Sequence, residues 1–256
     1  MKTRVLTMVL GLCGALSAAE PPAQSHNGYD LPPGWAPPIH DSTINYFVLF
    51  EKLEFRTGEA SDAAIVDAQG WVGGDFNRFW WKAEGEQETR TPKTGEIELQ
   101  ALYGRLIHPY WDVQMGVRLD RQYSGETHDT RGYLALGLQG VAPYWFELEP
   151  TLFLSDEGDV TFDLEASFEQ LITQRLVLEP RIDLSAAASS DPKRRTGTGI
   201  TEVEIGLRLR YEIDRQFAPY VGVTWRRAVG ETSGLRRRAG EEVSVAAAVF
   251  GIRAWF

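Results

Sequence analysis

The chain has 256 residues, 43% of them hydrophobic, enough for one large domain and too apolar to be disordered throughout. Its mean hydropathy of -0.27 excludes little, because a transmembrane barrel dilutes its lipid face with polar lumen residues. With 26 Lys and Arg against 36 Asp and Glu the net charge is -10, which argues against nucleic acid and for cations as partners.

Residues 1–19, MKTRVLTMVLGLCGALSAA, place Lys2 and Arg4 before an apolar stretch from Val5 to Leu16 and small residues from Ser17 to Ala19. That order is a secretory signal peptide cleaved after Ala19. The single cysteine, Cys13, lies inside it, and Leu12 before it makes a poor lipoprotein signal. Disulfides, thiolate catalysis and Cys-based metal sites therefore drop out of the mature chain. No later apolar run approaches the roughly 20 residues of a spanning helix. Residues 20–42, EPPAQSHNGYDLPPGWAPPIHDS, are rich in Pro and polar residues and predict an extended or disordered periplasmic arm.

From Thr43 onward apolar and polar residues alternate with a period of two, the pattern of strands with two unlike faces. Strands are predicted at 43–57, 62–72, 74–86, 95–107, 110–123, 131–142, 145–155, 159–172, 175–188, 198–213, 216–228 and 241–256. The fold class is all-β: a transmembrane antiparallel barrel of about 12 strands over residues 43–256. Tight turns such as HPY and DRQ interleave with longer polar segments such as SGETHDTRG and VGETSGLRRRAGE, the asymmetry of periplasmic turns and extracellular loops. Aromatics gather near turns, at Tyr110, Trp111, Tyr144, Trp145, Phe217, Tyr220, Trp255 and Phe256, and fit an interfacial girdle. A soluble sandwich or lipocalin-like barrel shows the same alternation with the aliphatic face turned inward. The signal peptide, even strand count, one-sided loops and girdle favour the outer membrane.

Parity then assigns the lumen. It receives Arg78, Lys82 and Glu84 from the third strand, Glu96 and Glu98 from the fourth, and Asp112, Arg118 and Asp120 from the fifth. The seventh and eighth contribute Glu147, Glu149, Asp163 and Glu165, and the ninth Glu179, Arg181 and Asp183. Glu202, Glu204, Arg208, Arg210 and Arg226 complete the set. Charges of both signs on neighbouring strands are expected to pair, since an unpaired charge in a narrow bore keeps a large desolvation cost. One reading is that they only satisfy one another; the other is that the acidic excess gives cations a stepwise path.

The runs HDSTINYFVLFEKLEFR, WVGGDFNRFWWKAEGE, EIELQALYGRLIHPYWDVQMGVRLD, GLQGVAPYWFELEP, GLRLRYEIDRQFAPYVGVTW and GIRAWF resemble the CopB/PcoB family of outer-membrane copper resistance proteins, over residues 40–256. The resemblance implies an outer-membrane barrel, in contact with lipid, that acts in copper tolerance by binding copper or helping its export or sequestration. It also implies a periplasmic copper-binding protein or multicopper oxidase as partner. Family members commonly carry a Met- and His-rich arm, whereas the mature arm here has only His26 and His40 and no Met.

Copper(II) favours imidazole and carboxylate, copper(I) sulfur. His40 with Asp41 offers the first pair just before the first strand, with His26 reachable on the arm; the competing reading is a solvated linker. Met115 points to lipid by parity, His108 sits in a tight turn, and His128 sits on an extracellular loop with Glu126 and Asp129. Two alternatives of other classes are a general small-solute pore and an outer-membrane lipid hydrolase. The hydrolase needs Ser, His and an Asn or Asp converging on the lipid face, and strand histidines occur only near turns, so no enzyme is expected.

Overall fold

The structure, a computed structural model, describes residues 43–58, 62–90 and 94–256. The segments predicted as signal peptide and arm, with His26, His40 and Asp41, lie outside these residues. The described chain forms one antiparallel sheet: β1 (Asn45–Gly58), β2 (Asp62–Gly73), β3 (Asn77–Glu88), β4 (Thr94–His108), β5 (Trp111–Ser124), β6 (Thr127–Ala142), β7 (Phe146–Ser155), β8 (Val160–Phe168), β9 (Gln170–Leu171), β10 (Leu176–Ala187), β11 (Gly199–Tyr211), β12 (Phe217–Ala228) and β13 (Ser244–Trp255). The two-residue β9 continues β8 past Glu169 and pairs with the same partner, β10. β1 pairs with both β2 and β13, and β10 with β11, so the sheet closes into a barrel of 12 staves with no free edge. Closure satisfies every strand's backbone without solvent, which a sheet in hydrocarbon requires.

The faces separate as alternation demands. Leu99, Val117, Leu119, Leu136, Leu152, Ile205, Leu207, Val221, Val223 and Phe250 all point outward and are exposed. A contiguous apolar belt of this kind is unsustainable in water, and this decides against the soluble barrel. Met115 shares that outer face at 53% exposure. Exposed aromatics Tyr46, Phe76, Tyr110, Tyr144, Trp145, Phe217 and Phe256 gather at the rim that carries the chain ends. Tyr220 is not among them. It shares parity with Ala218 and Thr224, points inward and is buried, so its place in the girdle is corrected.

The two rims differ. Connections at the chain-end rim are short throughout, from residues 74–76 to 212–216. At the opposite rim β5 and β6 continue pairing as far as Ser124 and Thr127, so the segment predicted as a loop at 124–132 is a strand hairpin and His128 sits on β6. Its residues are polar on both faces because they rise above the belt, and they read as a loop for that reason. The last connection holds a helix, α1 (Gly230–Arg238), absent from the all-strand expectation. Arg236, Arg237 and Arg238 in its last turn suit the negative end of the helix dipole. β4 and β6 are the tallest staves, while β7 and β8 are low, with 10 and 9 residues.

Candidate functional site

Period-two alternation and cross-strand register together order the lumen into rows. One row of directly opposed residues runs Asp67, Glu84, Glu98 and Asp120 on β2 to β5. It is closed by Lys52 on β1 and by Arg131 on β6. A second runs Glu149, Glu165, Asp183 and Glu204 on β7, β8, β10 and β11 and ends at Arg226 on β12. Like charges directly opposite one another destabilise a sheet. Two rows of carboxylates therefore oppose stability unless cations from other rows reach them.

Those cations are present. Arg118 contacts Glu98 at 2.7 Å, Asp120 at 2.6 Å and Asp163 at 3.4 Å. Arg181 donates to Asp183 at 2.9 Å and also pairs with Glu51 and Glu165. Glu204 accepts from Arg226 at 2.7 Å and Arg56 at 2.9 Å, while Lys82 pairs with Glu149. Nearer the chain-end rim Arg210 bridges Glu169 and Glu179 at 2.7 and 2.8 Å, and Arg78 meets Asp112 at 3.1 Å. Glu202 accepts from Arg236 of α1 at 2.7 Å. Glu96 accepts from Gln122 at 2.8 Å. Glu147, at the chain-end rim, is exposed.

Strand β1 contributes four charges that alternation alone does not assign. Its pairing slips between Phe50 and Lys52, a bulge that puts one extra residue on this strand and re-aims its side chains. Glu51 therefore faces the lumen beside its neighbour Lys52, and Glu54 and Arg56 follow. Lys52 pairs with Asp67 at 2.9 Å. Glu54, with a side chain 0% exposed, accepts from Arg208 at 2.9 Å and from the Tyr220 hydroxyl at 3.0 Å. Tyr220 lies flat across Gly251, where a Cβ would stand 2.4 Å from its hydroxyl.

An apolar row crosses β2 to β7, on the same strands as the first carboxylate row and four residues nearer the chain-end rim. Trp71, Trp80, Leu102, Gly116, Ala135 and Phe153 are direct cross-strand partners from β2 to β7. Arg118 stacks at its end, 4.5 Å above the ring of Phe153. Between the rows lies a cavity of about 410 Å³ lined by Glu84, Glu96, Glu98, Asp120, Asp163 and Glu165 among others. Carboxylate oxygens of Glu96, Glu98 and Asp120 come within 4.8 Å of one another. Oxygen donors at that spacing suit a hard or borderline divalent ion such as copper(II), in competition with the Arg118 guanidinium. His108 and His128 are both exposed, away from this cluster.

Comparison with known proteins gives the context. The family described as Copper resistance protein B precursor (CopB) matches residues 44–256. The chain belongs to the CopB family. Copper resistance protein B of Escherichia coli is 39% identical over 218 residues, covering 85% of this chain and 72% of that protein. The Copper resistance protein B homolog of Pseudomonas syringae pv. tomato (strain ATCC BAA-871 / DC3000) is 40% identical over 232 residues, covering 91% and 74%. Among solved structures, the NanC porin superposes with a TM-score of 0.52 at 13% identity and the KdgM porin with 0.50 at 11%. Each covers 82% of this chain and 99% of its own, a likeness of fold. This CopB member is a copper-resistance protein with an outer-membrane-type barrel.

Proposed function

We propose that the chain handles copper(II) inside its lumen and passes or holds it across the outer membrane of a Gram-negative cell, with the chain-end rim facing the periplasm. Copper here is cargo, and no catalytic step is part of the reading. The observation that carries it is the pair of carboxylate rows. Lys and Arg side chains reach the other acids of these rows, but Glu84, directly opposed to both Asp67 and Glu98, has no ion pair among the described residues, so the first row keeps an acid for a mobile cation to neutralise. The carboxylate oxygens match copper(II), while Met115, the one methionine beyond the leader, points to lipid. A periplasmic copper-binding protein or multicopper oxidase is the expected donor at the chain-end rim, and His26, His40 and Asp41 would meet the ion first.

The test is copper(II) binding by the mature chain in detergent, with and without residues 20–42, beside Glu98→Gln/Asp120→Asn. Loss of binding in the double variant supports the lumen as the site. Loss only on removing the arm moves the site to His26 and His40. A third result, no copper bound by any form, sinks the reading. The porin-like fold favours one second reading, a general small-solute pore, which liposome swelling in neutral sugars would reveal.

A further inference from the structure

The loop between β10 and β11, residues 188–198, does not extend into solvent. The wall is low at β7 and β8, and the loop leans over it to reach β6 and β5. Arg131 on β6 donates to Asp191 at 2.6 Å. Arg194 then enters the lumen, donating to Asp129 at 2.8 Å, to the Tyr133 hydroxyl at 3.0 Å and to Asp120 at 3.5 Å, with its side chain 9% exposed. Asp120 is the last acid of the first carboxylate row.

The loop's other flank is tied to α1. The Gly197 N–H donates to the hydroxyl of Thr232, a residue 2% exposed, at 2.8 Å, and the Thr198 N–H donates to Glu231 at 3.0 Å. A Cβ on Gly197 would stand 2.5 Å from the Glu231 Cβ and the Thr232 amide nitrogen, so only glycine permits this approach. Arg195 is held at φ 56°, a left-handed conformation that a non-glycine residue keeps only when its surroundings impose it. Asp191, Arg194, Thr196 and Arg236 line the cavity, so loop and helix roof it.

We propose that residues 188–198 form a gate over the lumen and that Arg194 is its latch, a tethered cation seated beside Arg118 on a carboxylate that a mobile cation entering the cavity would meet. The inference rests on the lumen being a cation path. An ion arriving in the cavity takes up the charge of Asp120 and repels the guanidinium, so cargo and latch compete for one acid and binding of either weakens the other. Gate opening is thereby coupled to cargo.

The experiment uses the full mature chain in planar bilayers bathed in KCl, comparing wild type, Arg194→Ala and a variant with residues 191–196 replaced by Gly-Gly, each shown to be folded by heat-modifiable gel migration. Loss of a charged hydrogen bond shifts a two-state equilibrium about tenfold, and Arg194→Ala is expected to raise the open time by about that factor. The shortened loop is expected to hold the channel open, and it decides the matter should Arg194→Ala fail to fold. Wild-type conductance in the folded variants overturns the gate. Opening to KCl in a chain that binds no copper(II) keeps the gate and removes the copper reading; unchanged KCl conductance with copper binding intact does the reverse.

Discussion

The ion pair between Glu54 and Arg208 offers a sharp test of how the lumen charges are held. Glu54 is fully enclosed, and Arg208 Nε stands 2.9 Å from its carboxylate. The cavity beside Arg208 and Tyr220 measures about 10 Å³, room for about one water. At that distance the attraction is about 6 kcal/mol for an effective dielectric of about 20. Arg208→Met removes it and leaves Glu54 with the Tyr220 hydroxyl and with Arg56, 3.6 Å away. Because Arg56 retains part of the compensation, we expect a loss of about 3 kcal/mol, the low end for breaking a buried pair. The double variant Glu54→Leu/Arg208→Met is expected to lie within about 1.5 kcal/mol of wild type, since replacing both partners with apolar groups is often near neutral. Urea unfolding in detergent micelles, followed by tryptophan fluorescence, measures both. A single variant as stable as wild type, or a double variant as unstable as the single, refutes the reasoning.

Three further outcomes are expected. The Asp191 carboxyl gains from burial an upward push, which the Arg131 hydrogen bond and two backbone N–H groups outweigh, so it titrates below the ordinary 3.8. Its depressed value stabilises the loop above the ordinary range and is lost as pH falls through it; Arg131, Glu157 and Asp159 are the charged groups around it. Pepsin cleavage of the loop should rise on acidification below about pH 4 in wild type, and Asp191→Asn should be cleaved equally at both ends of that range. Gly197→Val should undock α1 from the loop, read as faster amide exchange at residues 230–238, with the barrel's melting point unchanged. Met115→Leu should leave copper tolerance and copper(II) binding at wild-type levels, since that side chain faces hydrocarbon.

The barrel was legible because each strand's period fixes two faces and a one-residue slip would turn every charge into lipid. Wherever that period ran unbroken, as from Glu202 to Arg210, the faces followed from the sequence alone. It failed at particular places for particular reasons. The β1 bulge makes Glu51 and Lys52 share a face, and no alternation encodes an extra residue. Tyr220 stands three residues from the rim aromatic Phe217, yet its parity sends it inward. The rows Asp67–Asp120 and Glu149–Glu204 depend on cross-strand register, which no single strand carries. Arg194 lies in a polar loop with three consecutive basic residues, Lys193 to Arg195, that reads as solvated until the low wall at β7 and β8 shows where the loop can lean. His26, His40 and Asp41, the residues singled out as metal ligands, fall outside the described chain.

The stripe from Trp71 to Phe153 gives the wall from β2 to β7 an oily level below its carboxylates. Those rings leave water few partners, so an ion crossing that level must travel off-axis, away from them. The ringed level is interlocked and resists deformation, whereas the guanidinium contacts elsewhere in the bore can be exchanged one at a time. Stiffness is thus distributed unevenly along this bore, as charge is.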